Sequence, residues 1–227
     1  FKPKERIIEY MLESNTSKLV DMTLTGFANE TASESPAPGG GSIAAYTGVL
    51  GVSLGTMVAN LSAHKRGWDD RWEEFSDWAQ KGQKYKDELL RLVDEDTNAF
   101  NKIMDAYGLP NKSDDEKRIR KETIENASKY AMEIPYKVME TSYNSMEVMK
   151  AMAEVGNPNS VSDAGVGALC ALTAVEGAYL NVKINASGIE DKVFTDELVK
   201  KGADIALKAK ECRDTIIKIV DQKITEL

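Results

Sequence analysis

The chain has 227 residues, 42% of them hydrophobic, only 7% aromatic and 29% charged, with a formal net charge of −8 at pH 7. That length is enough for a single domain with a substantial core, and apolar mass drawn mainly from Ala, Val, Leu, Ile and nine Met suits packed helices better than a β-sandwich. The acidic balance argues against general nucleic-acid binding, because neutralising phosphates requires a basic surface; locally grouped Lys and Arg could still meet a small anion.

The opening FKPKERIIEY is charged and lacks the apolar stretch of a signal peptide, and a phenylalanine at position 1 suggests a chain cut from something longer. Residues 5–12 read as a short linker helix or strand. Residues 16–29 place Leu19, Val20, Leu24 and Phe27 near one helical face. Residues 36–41 form a turn signal, and a helix is expected over residues 42–63. From Ser35 to Ala63 no residue carries a formal charge. Small residues at Ala44, Ala45, Gly48, Gly51, Gly55 and Ala59 mark one helical face built for close backbone approach. The run is long enough to span a bilayer, but Ser42, Thr47, Ser53, Thr56, Asn60 and the glycines dilute it, and no membrane partner is expected.

A long polar-rich helix follows over residues 69–107, ended by Gly108 to Pro110. Residues 114–128 read as a solvated helix. Pro135 starts or kinks the next one, which carries Val138, Met139, Met146, Met149 and Met152. GNPNS at 156–160 is a loop, with Ser162 a cap for a helix uncharged over residues 164–175 and ending at 185–188. Residues 195–226 form a final amphipathic helix. With neither strand alternation nor an internal repeat, the fold expected is all-α, a bundle of long helices. Two nearly apolar helices in so short a chain imply a homodimer stacking them in a shared core.

Candidate chemistry sits at few positions. A Gly-rich turn feeding a helix N-terminus exposes backbone N–H groups in one direction, an anion site in waiting at Gly39, Gly40, Gly41 and Ser42. Asp96 falls inside the apolar stripe of Leu89, Leu92, Val93, Ala99, Phe100, Ile103 and Tyr107, whereas Asp94, two positions earlier, points elsewhere. A carboxylate on a core-facing stripe must be paired, hydrogen-bonded or protonated. Burial raises its pKa, which suits proton transfer near neutral pH, and a cap or bridge to another helix fits the spacing as well. Asp163 lies just inside a helix start, where an acidic residue also fits electrostatically. Asn181 and Asn185 share a helical face and suit either a heterocyclic ligand or each other. Lys65 and Arg66 form a local basic group beside His64, fit for an anionic tail or for helix-end compensation. His64 is the only histidine, which leaves no multi-histidine metal site within one chain. Cys170 and Cys212 match no zinc or redox spacing and read as reduced thiols in a cytoplasmic protein. PGGGS lacks the ending of a phosphate-binding Walker loop.

APGGGSIAAYTGVLGVSLGTMVANL, LVDEDTNAF, GNPNSVSDAGVGA and GAYLNVKINA, in this order and spacing, resemble the formimidoyltetrahydrofolate cyclodeaminase and methenyltetrahydrofolate cyclohydrolase family over roughly residues 16–220. FKPKERIIEYM resembles the joint that precedes the cyclodeaminase domain in the bifunctional enzyme. The resemblance thus divides the chain into a linker at 1–15, from a formiminotransferase-type domain on the same chain, and a helical domain at 16–227. It implies an all-α dimer with the folate site near the dimer interface and no metal or redox cofactor beyond the tetrahydrofolate substrate, with or without a polyglutamate tail. The implied reaction belongs to histidine degradation and one-carbon metabolism: 5-formimidoyltetrahydrofolate becomes 5,10-methenyltetrahydrofolate and ammonia. On that footing Asp96 is expected to transfer protons and Asp163 to be a second carboxylate or orienter. The triplet Gly39 to Gly41 with Ser42 would cradle an anionic or carbonyl part of the folate. Asn181 and Asn185 would fix the pterin or amidine, and Lys65 and Arg66 would meet the glutamate tail. The rival readings are the cyclohydrolase reaction and a non-catalytic helical domain for folate binding or oligomerisation.

Overall fold

The computed structural model describes residues 18–226; the expectations for residues 1–15 lie outside the described residues. Among the described residues, six α-helices and three short 3-10 turns account for the architecture, with no strand. The helices are α1 (Leu24–Thr31), α2 (Gly40–Ala63), α3 (Trp72–Tyr107), α4 (Asp114–Val155), α5 (Val161–Ala186) and α6 (Lys192–Glu226). The central α2 lies between α3 and α5, α4 crosses behind all three, and α6 packs on α4 and α5.

Small residues decide how closely α2 and α5 approach. A Cβ on Gly51 would stand 2.7 Å from the Gly167 carbonyl oxygen, and one on Gly167 would stand 2.7 Å from that of Gly51. The two helices run antiparallel, since Gly40 neighbours Asn181 while Gly48 neighbours Ala174. Gly55 instead faces Met149 and Val148, so its missing side chain admits α4 within the same chain. Both α2 and the stretch Pro158–Ala186 are long and apolar enough to cross a membrane, yet at least half of each apolar window is buried inside the bundle.

Three local expectations need correction. Of the segment 16–29, the described residues 18–29 are not one helix: a 3-10 turn (Leu19–Asp21) precedes α1, and the Thr23 side chain accepts from the Gly26 N–H to start it. Ser162 is not a cap; α5 already begins at Val161, after a 3-10 turn (Pro158–Ser160) capped by the Asn157 side chain. Pro135 does not divide the chain into two helices. It is buried inside the continuous 42-residue α4, which starts at a reciprocal Ser113/Glu116 capping box. Packing on α2, α3 and α5 outweighs the local cost of the proline.

One broad face remains apolar and open. Leu50, Met57 and Leu61 on α2 and Val166, Leu169, Leu180 and Ile184 on α5 are all exposed. Their spacings of seven and four on α2 and three, eleven and four on α5 keep each set on one helical face, in the manner of a helix-packing seam.

Candidate functional site

At the end of the bundle where α2 begins, a cavity of about 150 Å³ is lined by Pro36, Ala37, Gly39, Gly40, Gly41, Asp96, Thr97, Phe100, Ile103, Ala131, Asn181 and Asn185. Every wall comes from a different stretch of chain: the turn before α2, then α3, α4 and α5. Of the sequence-expected residues, Gly39, Gly40, Gly41, Asp96, Asn181 and Asn185 meet here, with Ser42 just behind.

Three consecutive acids on α3 go three ways. Asp94 accepts from the Leu19 N–H at 2.8 Å. Glu95 turns to the other flank, where Tyr130 donates to it and Lys102 stands 3.7 Å away. Asp96 points at the start of α2. Ser42 Oγ lies 3.0 Å from Asp96 Oδ2 and 3.1 Å from the Val93 carbonyl, and the Ser42 backbone N–H also donates to the Asp96 carboxylate. Burial pushes the Asp96 carboxyl above its usual range, and the two Ser42 donors only partly oppose that shift. Gly41 makes the contact possible, because a Cβ there would stand 2.1 Å from Asp96 Oδ1. The N-cap residue Gly39 has no side chain to serve the first turn of α2, and Asp96 supplies that missing acceptor from another helix. The anion at this helix start is therefore the chain's own carboxylate, where the sequence suggested room for an anionic part of a ligand.

The two amides are oriented by carbonyls. Asn181 Nδ2 donates to Gly177 O at 2.9 Å, and Asn185 Nδ2 donates to Ala131 O at 2.8 Å. A carbonyl can only accept, so each nitrogen faces its carbonyl with one N–H, and the Oδ1 atom and the second N–H of each amide stay open to other partners. Thr97, which the sequence did not single out, lines the same cavity, and its buried hydroxyl has no hydrogen-bond partner. Helical Thr and Ser usually back-bond to the carbonyl four residues earlier; for Thr97 that carbonyl is Val93, which Ser42 Oγ also approaches at 3.1 Å. Phe100 and Ile103 form the apolar wall. Phe100 and Tyr107 remain exposed, since α3 runs about 16 Å past Asp96, beyond the start of α2.

The remaining expected residues lie elsewhere in the chain. Asp163 occupies the first turn of α5, about 27 Å along that helix from Asn181. Lys65 and Arg66 follow the far end of α2, about 36 Å from Gly40, where Lys65 Nζ sits 4.0 Å above the Trp68 ring. His64 is the C-cap of α2. Within the chain, none of these four reaches the cavity.

The cavity thus brings together one partly buried carboxyl, two amides and an apolar wall. The profile of the formiminotransferase-cyclodeaminase family matches residues 23–204. The chain is 33% identical over 202 residues to the methenyltetrahydrofolate cyclohydrolase of Methylorubrum extorquens, covering 89% of this chain and 97% of that protein. It is 32% identical over 225 residues to the formimidoyltransferase-cyclodeaminase of Gallus gallus, covering 98% of this chain but 42% of that longer protein. In structure it matches the formiminotetrahydrofolate cyclodeaminase of Thermotoga maritima with a TM-score of 0.78 at 26% identity, over 89% of this chain and 98% of the other. The chain belongs to the formiminotransferase-cyclodeaminase family, whose members act on folate-borne one-carbon units.

Proposed function

We propose that the chain is a cyclodeaminase that closes 5-formimidoyltetrahydrofolate to 5,10-methenyltetrahydrofolate and releases ammonia. The observation that carries this reading is the Asp96 carboxyl, partly buried at an acceptor-lined cavity and held by Ser42. The substrate's formimidoyl group is an amidine, cationic when protonated, and the product is a delocalised cation. Carboxylate and amide oxygens suit both.

The proton balance fits one titratable group. Folate N10 adds to the amidinium carbon, giving a tetrahedral centre that bears the NH2 group. N10 then gives up its proton, the NH2 takes one and leaves as ammonia, and the positive charge remains on the methenyl bridge. No net proton is consumed, so Asp96 as carboxylate accepts from N10 and, once protonated, donates to the leaving nitrogen. Because N10 and the carbon belong to one molecule, holding them in contact supplies much of the acceleration. Asn181 and Asn185 accept from amidine or pterin N–H groups, and Phe100 and Ile103 flank a ring.

The similarity to a cyclohydrolase across nearly its whole length favours a second reading. There water attacks the methenyl carbon and Asp96 takes its proton. Assaying both substrates on one preparation separates the two.

The open apolar face of α2 and α5 supports a homodimer. In an arrangement that crosses the two copies end for end, Lys65, Arg66 and Asp163 of one copy approach the cavity of the other. That is the route by which they would serve the glutamate tail and the second carboxyl position.

A further inference from the structure

Pro135 is buried inside α4 and lacks the N–H that would complete the helix ladder, so the carbonyl four residues back, that of Ala131, loses its usual donor. In a regular helix the proline ring also clashes with that carbonyl. The Ala131 oxygen is met instead by Asn185 Nδ2 from α5 at 2.8 Å. Ala131 and Asn185 both line the cavity that holds Asp96. A proline that should cost a helix about 3 kcal/mol thus stands one turn from a site residue and leaves an acceptor for it.

We propose that Pro135 is a positioning residue of this cavity. By leaving the Ala131 carbonyl free, it holds the Asn185 amide with its nitrogen on α4 and its oxygen available to the ligand. The reverse orientation would set two oxygens against each other. A residue at 135 with an N–H reclaims the Ala131 carbonyl for the ladder, which weakens the Asn185 anchor. The orientation stands on geometry alone; its effect on turnover rests on the cavity being the catalytic site proposed above.

The test combines side-chain amide exchange by NMR with kinetics. In the unaltered protein the Asn185 amide protons exchange much more slowly than those of the exposed Asn111. Pro135→Ala keeps or raises the melting temperature, since alanine favours the helix, speeds Asn185 exchange, and lowers kcat/KM for 5-formimidoyltetrahydrofolate about tenfold, mainly through KM. In an Asn185→Ala background the same change at 135 adds nothing further. The proposal is overturned if Asn185 exchanges as fast as Asn111 in the unaltered protein, if Pro135→Ala leaves the kinetics intact, or if its effect persists without Asn185. Should Pro135→Ala fail to fold, the exchange measurement on the unaltered protein still decides the orientation. An unaltered protein inactive on both folate substrates refutes the proposed function, not the anchored amide.

Discussion

Gly41→Ala places a methyl group where the structure has none to spare. The added carbon would lie 2.1 Å from Asp96 Oδ1, 2.5 Å from Cγ and 2.6 Å from Oδ2. Ordinary contact begins near 3.4 Å, so the carboxylate must withdraw by about 1 Å or the start of α2 must shift by as much. Either movement stretches the Ser42 Oγ contact, now 3.0 Å, and hydrogen bonds to a charged group contribute about 1.5–3 kcal/mol each. Misplacing a reacting group by about 1 Å costs on the order of 100-fold in rate. Stability moves less, because alanine regains up to about 1 kcal/mol of helix propensity. We expect kcat/KM on the formimidoyl substrate to fall about 100-fold with a melting temperature within a few degrees of the parent. Gly188→Ala is the control. A Cβ there would meet nothing within 4 Å, and the position lies outside the cavity, so activity should stay near the parent level. A fully active Gly41→Ala protein would refute the placement of Asp96 in the reaction.

Two further perturbations test the electrostatics and the assembly. Because folding raises the Asp96 pKa, its contribution to stability is fully present below the unfolded value and is lost as pH rises through the folded one. Asp96→Asn should therefore gain in melting temperature relative to the parent as pH rises from about 3 to 7, each pKa unit being worth about 1.4 kcal/mol; a difference that stays flat with pH would contradict a raised pKa. Leu169→Glu puts a charge into the open α2–α5 face and should convert a dimer to monomers by light scattering, while an unaltered mass would place the interface elsewhere.

Much of this architecture is written in periodicity. The uncharged, small-residue pattern of α2, the long stripe of α3 and the apolar run of α5 each follow from spacing, and Asp96 stands out because it interrupts a stripe. Asn181 and Asn185 are legible for the same reason. What spacing does not carry is which end of a long helix a residue occupies relative to its antiparallel neighbour. Lys65 and Arg66 follow the same helix that the glycine triplet opens, yet its 24 residues set them about 36 Å from the triplet. Asp163 is separated from Asn181 in the same way. Pro135 misleads for another reason. Locally it breaks a helix, but here its lost hydrogen bond is offset by tertiary packing, and the freed carbonyl is taken by a residue 54 positions away. Thr97 carries no signal at all, because spacing does not record that its buried hydroxyl ends without a partner.

The most direct test is to give the purified protein 5-formimidoyltetrahydrofolate and follow ammonia release together with methenyl absorbance, in parallel with Asp96→Asn. The account predicts equimolar ammonia and 5,10-methenyltetrahydrofolate from the parent, and turnover lower by about two to four orders of magnitude in the variant, with its fold retained by circular dichroism. Undiminished ammonia release by Asp96→Asn, or a parent that binds the substrate and releases none, would contradict it.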